Sequence, residues 1–302
     1  MADAAAASPP RAPLRPAIVV DPTFRSVFSE FFDSPWALGA DILGPQDATP
    51  HALDGRDVVL IEHGDLVPLG HLMGAHRVTL FNTEHAARPS VFKRVQAQWA
   101  ALCDALGPGR VALADFSRAN LRAWLPLLPP RSALTLMPIE TPSARVQELR
   151  ALLQRTPKEH DVAFVGAMTK RRLDVLHGLA AHGLRVVRVD AWGAVRDELI
   201  AKSRVLLNVH QSPFHAVFES PRCAAWIAAG MPLVTEAGLS GCTDDDPPSS
   251  AAVTVAEYAE LIGVARAAAV AHGARPGSVG TLTLKSTDAS RFANEEAPGF
   301  TC

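Results

Sequence analysis

Short β-rich apolar runs alternate with segments of helical period along most of this chain. That alternation constrains its fold more than any other feature. "AIVV" (17–20) reads as a strand, and Phe24, Val27, Phe28 and Phe31 then fall on one face of a helix. "DVVLIE" (57–62), "RVTLFNTE" (77–84), "RVALA" (110–114) and "ALTLM" (133–137) are continuous apolar runs of the kind buried on both faces. Between them, Val91, Val95, Trp99, Leu102 and Leu106 mark a helix, and Ser117 suits the N-cap of another that carries Leu121, Trp124, Leu125 and Leu128.

The segment "PIETPSARVQELRALLQRTPKEH", polar, Pro-punctuated and helical in its middle, interrupts the series, and the alternation then restarts. "DVAFVG" (161–166), "RVVRV" (185–189), "RVLLNVH" (204–210) and "PLVTE" (232–236) read as strands. Helices are predicted after 169, at 194–203, at 221–229 and at 255–273. Alternation of this kind gives parallel sheets covered by helices on both faces. Two such series predict an α/β protein of two Rossmann-like, doubly wound domains. The expected division is a disordered tail at 1–16, an N-terminal domain at 17–140, a connector at 141–160, a C-terminal domain at 161–274 and a mobile tail at 275–302. Ligands of such sheets sit at the carboxyl ends of the strands, here in the cleft between the domains.

Composition excludes several functions. The formal net charge of -2, with no strongly basic segment, argues against nucleic acid as partner. The cysteines Cys103, Cys223, Cys242 and Cys302 form no CxxC pair, so neither a zinc site nor a disulfide framework is expected, and the compartment reads as reducing and cytoplasmic. The start "MADAAAASPPRAPLRP" lacks the apolar core of a secretory signal. No window offers the ~18 apolar residues of a membrane span, so membrane contact, if any, is peripheral.

Three clusters can carry chemistry. In "FVGAMTKRRLDVL", Gly166 ends a strand and Thr169 can cap the next helix, whose N-terminus suits phosphate. Lys170, Arg171 and Arg172 fall in its first turn, where cations oppose the helix dipole unless an anion is near. In "LLNVHQSPFHAVFESPRCAAWIAAG", Asn208 and His210 end a strand, and Phe214 and Phe218 could stack on a planar base. Ser220 and Pro221 resemble an N-cap and first helical residue, Glu219 can accept from ribose hydroxyls, and Arg222 can bond a diphosphate. The competing reading is that Glu219 and Arg222 simply pair with each other. In the first half, "IEHGD" and "FNTEH" place His63, Glu84 and His85 at strand ends, as candidates for a base or acceptor clamp. "ADFSRAN" is explained by turn and cap formation.

"DVAFVGAMTKRRLDVLHGL", "WGAVRDELIAKSRVLLNVH" and "FESPRCAAWIAAGMPLVTE" together resemble the carboxyl half of group-1-type glycosyltransferases of the GT-B fold, in the branch of CgeB-like proteins. "FNTEH" and "ADFSRANL" are similar to that branch's amino half, and the resemblance covers roughly residues 57–265. It implies a glycosyltransferase that moves a sugar from a nucleotide-diphosphate sugar to a glycan, lipid or protein acceptor, without metal or other cofactor. It places Gly166, Lys170, Arg171 and Arg172 at the diphosphate, and Asn208, His210, Phe218, Glu219 and Arg222 around the donor nucleotide. The spaced glutamate pair of retaining group-1 enzymes is missing, since Ala225 stands at one of its positions. That departure keeps a second expectation in view, a non-catalytic GT-B-like protein that binds a nucleotide or glycan.

Overall fold

The computed structural model describes residues 14–22, 25, 32–61, 67–84, 89–128, 133–213, 217–238 and 250–286. They form two six-stranded sheets in which every strand pair is parallel. The first contains β1 (Ala17–Val19), β2 (Asp41–Leu43), β3 (Asp57–Ile61), β4 (Arg77–Asn82), β5 (Val111–Asp115) and β6 (Ala133–Leu136), in the order β2-β1-β3-β4-β5-β6. Its helices are α1 (Pro50–Leu53), α2 (Pro89–Leu106) and α3 (Arg118–Trp124). The second contains β7 (His160–Val165), β8 (Arg185–Asp190), β9 (Ser203–Asn208), β10 (Leu233–Glu236), β11 (Val253–Ala256) and β12 (Thr281–Ser286), in the order β11-β10-β9-β7-β8-β12. Helices α4 (Ser143–Arg155), α5 (Lys170–Ala181), α6 (Gly193–Ala201), α7 (Ser220–Ala229) and α8 (Leu261–Ala271) accompany it.

Each sheet is apolar on both faces because successive side chains of a strand point to opposite sides. Along β7, Val162 and Phe164 enter the cluster that holds Leu176 and Leu179 of α5, while Ala163 and Val165 enter the one that holds Trp226 of α7. Along β4, Val78 and Leu80 meet Val95 and Trp99 of α2, while Phe81 turns to a cluster with Ile18, Ile61 and Ala114. Val217, from the chain between β9 and α7, is buried in this last cluster and joins the second half of the chain to the first.

Four expectations need correction. Residues 141–160 are largely α4, and Leu149, Leu152 and Leu153 pack it into the second sheet's core. Arg145 pairs with Asp197, and the Arg150 guanidinium donates to the Ala228 carbonyl at 2.9 Å. The helix itself is as the sequence predicts; what differs is that its leucines dock on the second sheet, so the segment is part of that half of the chain. The tail expected at 275–302 supplies β12, which pairs with β8 from Thr281↔Arg185 to Ser286↔Asp190. Its "TLTLKS" alternates with period two, as an edge strand does. The helix expected at 255–273 begins at Leu261, because Val253–Ala256 instead pairs with β10. Ser220 is the first residue of α7 rather than its N-cap, so Glu219 holds the cap position without a capping side-chain bond. The helix expected around Phe24, Val27, Phe28 and Phe31 lies outside the described residues, as does Phe214.

Among the described residues no helix is long and apolar enough to cross a membrane.

Gly183 anchors the approach to β12. It has φ +84, and a Cβ there would run into the Gly277 carbonyl. Gly183→Ala is therefore expected to destabilise the protein by about 1–3 kcal/mol. Urea unfolding measures this, and an unchanged midpoint would show that the β12 segment contributes nothing to the fold.

Candidate functional site

In the second sheet the chain runs from β7 to β8 on one side and returns to β9 on the other. The switch point therefore lies between β7 and β9, where open parallel sheets place ligands. Gly166 directly follows β7 there. Thr169 caps α5 by accepting from the Arg172 amide at 3.3 Å. The Arg172 side chain, 1% exposed, turns back across the switch point. Its Nε donates to the Val209 carbonyl at 2.9 Å and its Nη1 to the Ala167 carbonyl at 2.8 Å. Arg222, in the first turn of α7, donates through Nη1 to the Val165 carbonyl at 3.1 Å and through Nη2 to Glu219 at 2.7 Å.

The two guanidiniums flank Gly166. A Cβ at Gly166, which has φ +143, would stand 2.9 Å from Arg222 Nη1 and 3.3 Å from Arg172 Nη1. Glu219 lies 3.8 Å from Arg172 Nη2, which is buried and makes no hydrogen bond among the described residues. Burial, together with Arg222 beside it, brings the Arg172 guanidinium down to about 10. Two like charges thus share one carboxylate beside a glycine whose missing side chain lets both guanidiniums approach its backbone.

Arg171 forms a neighbouring group. Its Nη1 donates to Glu236 Oε2 at 2.7 Å, its Nη2 pairs with Glu236 Oε1, and its guanidinium lies 3.5 Å from the centre of the Tyr258 ring. Glu236, at the end of β10, also accepts from the His210 amide at 2.8 Å. Asn208 donates to Thr235 Oγ1 at 3.0 Å, and both Asn208 and His210 are buried.

Gly166, Arg172, Glu219 and Arg222 therefore converge, with Arg171 and His210 alongside. Glu219 and Arg222 do pair with each other, as the competing reading required. Phe218 is in the apolar core of the second sheet rather than in an open pocket. Lys170 is apart from the group, with its side chain 88% exposed and paired to Asp174 at 2.8 Å. Glu236 was missed from the sequence. Its signal was a lone carboxylate closing the apolar run "PLVTE".

In the first half, His63 and His85 lie outside the described residues. Glu84 follows the end of β4 and is half-buried. Its carbonyl accepts from Asn82 Nδ2 at 2.7 Å and from Asn120 Nδ2 at 2.9 Å. Both amides also donate to Asp115, at 2.6 and 3.1 Å. Asp115 further accepts from the Ser117 amide at 2.9 Å and from Trp124 Nε1 at 3.4 Å. Ser117 caps α3 as the sequence predicts, through the Asn120 amide at 3.0 Å. Asp115 was expected only in a turn, yet it is the centre of this network. Burial pushes its carboxyl up to about 7, against four bonds that favour the ionised form.

No family model matches the sequence. The chain is 38% identical over 130 residues to the uncharacterized protein L138 of Acanthamoeba polyphaga mimivirus, which takes in 42% of this chain and 14% of that protein. It is 29% identical over 155 residues to L137 of the same virus, with 50% of this chain and 20% of that protein covered. It is 37% identical over 102 residues to L140, with 33% of this chain and 34% of that protein covered. The chain thus matches only a minor part of each of these relatives. Among solved structures it is similar to AviGT4, a glycosyltransferase involved in Avilamycin A biosynthesis, with a TM-score of 0.53 and 16% identity over 85% of this chain and 88% of that one.

Proposed function

We propose that this protein is a glycosyltransferase of the GT-B type, which moves a sugar from a nucleotide-diphosphate sugar to a glycan, lipid or protein acceptor. The observation that carries this reading is the pair of guanidiniums, Arg172 and Arg222, on either side of Gly166 at the switch point. The likeness to a glycosyltransferase fold supports it coarsely. The two sheets are then two domains around a cleft, the second enlarged by α4 and β12. Neither metal nor cofactor enters the reading.

In the reaction the sugar–phosphate bond breaks and the leaving nucleoside diphosphate gains charge. Arg172, Arg222 and the N-terminus of α5 stabilise that charge. The acceptor hydroxyl is taken by the first domain, where Glu84, His63 or His85 accepts its proton. Glu219 holds the arginines in place and accepts from the donor's ribose.

Calorimetry with UDP, GDP, ADP and dTDP, and with the matching nucleosides, tests this reading. One diphosphate should bind, and Arg222→Ala should weaken it by about 10- to 150-fold while hardly changing nucleoside affinity. Glu219→Ala should weaken both forms alike. If Glu219 and Arg222 are only each other's counter-ion, neither variant changes binding. A second reading, a non-catalytic nucleotide-binding protein, is favoured by Ala225 at a position of the missing glutamate pair. It predicts the same binding with no release of nucleoside diphosphate from any donor.

A further inference from the structure

A buried carboxyl with four donors aimed at it sits at the carboxyl end of β5, away from the arginine group. Asp115 is 0% exposed, and Asn82, Ser117, Asn120 and Trp124 around it are buried as well. Withdrawing a carboxyl from water is costly. Capping α3 does not require it, because the Ser117 hydroxyl already accepts from the Asn120 amide. What Asp115 adds is orientation. Each oxygen acts as an acceptor, so the side-chain amides of Asn82 and Asn120 both turn their nitrogens inward. The remaining N–H of each then converges on one atom, the Glu84 carbonyl oxygen. The Glu84 amide is also directed at Asn82 Oδ1, at 3.4 Å. The knot joins β4, β5 and α3, so it ties a residue beyond the end of β4 to three rigid elements.

We propose that Asp115 is a positioning residue. Through Asn82 and Asn120 it fixes the backbone of Glu84 at the carboxyl edge of the first sheet, so that the Glu84 carboxylate meets the acceptor in a reactive geometry. The inference rests on the glycosyl-transfer reading. A misplacement of about 1 Å near reacting atoms can cost a hundredfold in rate, so a clamp that holds one carbonyl from two side chains has a function beyond stability.

The test uses Asp115→Asn and Asn120→Ala, each alone and in a Glu84→Gln background. Release of nucleoside diphosphate from UDP-glucose, GDP-mannose, ADP-glucose and dTDP-glucose is measured, together with amide hydrogen exchange around residue 84. Asn120→Ala removes only one arm, and it decides the question if Asp115→Asn does not fold. The expected result is a fall in kcat of about tenfold or more, an unchanged KM for the donor, and faster exchange around residue 84. In the Glu84→Gln background the same substitutions should lower kcat no further. An equal loss in both backgrounds, or a rise in donor KM that tracks lowered stability, would overturn the inference and leave a purely structural knot. A wild-type protein that binds no nucleoside diphosphate would overturn the functional reading instead. The exchange measurement needs no turnover, and unchanged exchange in both variants would show that there is no clamp.

Discussion

Gly166→Ala is expected to weaken nucleoside-diphosphate binding by at least about 100-fold, while both sheets stay folded. The added methyl would stand 2.9 Å from Arg222 Nη1 and 3.3 Å from Arg172 Nη1. Arg172 is fully buried and held by two carbonyls, so it has little room to yield. Arg222, whose side chain is 23% exposed, is the one that can yield, but moving breaks its bonds to the Val165 carbonyl and to Glu219. In the proposed reading, the methyl would also displace the guanidiniums that bind the diphosphate. Backbone strain at φ +143 adds a stability cost of about 1–3 kcal/mol. Calorimetry with UDP and GDP, beside a thermal melt, separates the two effects. Wild-type affinity in this variant would remove Gly166 and its arginines from the account.

The largest expected effect on stability is at Asp115. Asp115→Ala removes the acceptor from four buried donors, and each unmet donor costs about 1–3 kcal/mol. Recovery of the carboxyl's own desolvation cost offsets part of this, so the net loss should be about 3 kcal/mol. The loss should also depend on pH. Burial raises the carboxyl from 3.8 to about 7, so the folded protein holds this proton more tightly than the unfolded chain. That contribution is fully present below about pH 4 and is lost as pH rises toward 7. The gap between wild type and variant should therefore be wider at pH 5 than at pH 8 in urea titrations. The opposite trend would show that the four donors keep Asp115 ionised.

The strands were legible because burial on both faces makes a parallel strand a continuous apolar run, as in "DVVLI" and "DVAFV". What escaped was edge structure. The three residues of β2, the half-polar "VTVA" of β11 and the "TLTLKS" of β12 meet solvent on more sides, so their composition resembles that of loops. At the arginine group, Gly166, Arg172, Glu219 and Arg222 were legible together because parallel topology brings the carboxyl ends of β7 and β9 side by side. Lys170 was grouped with them by sequence adjacency alone. Consecutive helical residues are turned by about 100°, so Lys170 faces solvent, Arg171 faces Glu236 and Arg172 faces inward. Glu236 and Asp115 were illegible as partners, because one carboxylate at a strand end looks the same whether it ends a strand or receives several donors.

Val217, Phe218 and Glu219 commit three successive residues to three separate places. Val217 is buried with the first sheet, Phe218 in the core of the second, and Glu219 against the arginines. The backbone from Val217 to Glu219 spans only about 7 Å, too short to absorb a large displacement at one end. Swinging the two halves apart must therefore unseat Val217 or drag Glu219 from Arg222. Returning one valine side chain to water would cost about 1.5–3 kcal/mol, roughly ten- to hundredfold against any arrangement that unseats it. A displacement of either half would therefore reach the arginines as a change in the place of their shared counter-charge, Glu219.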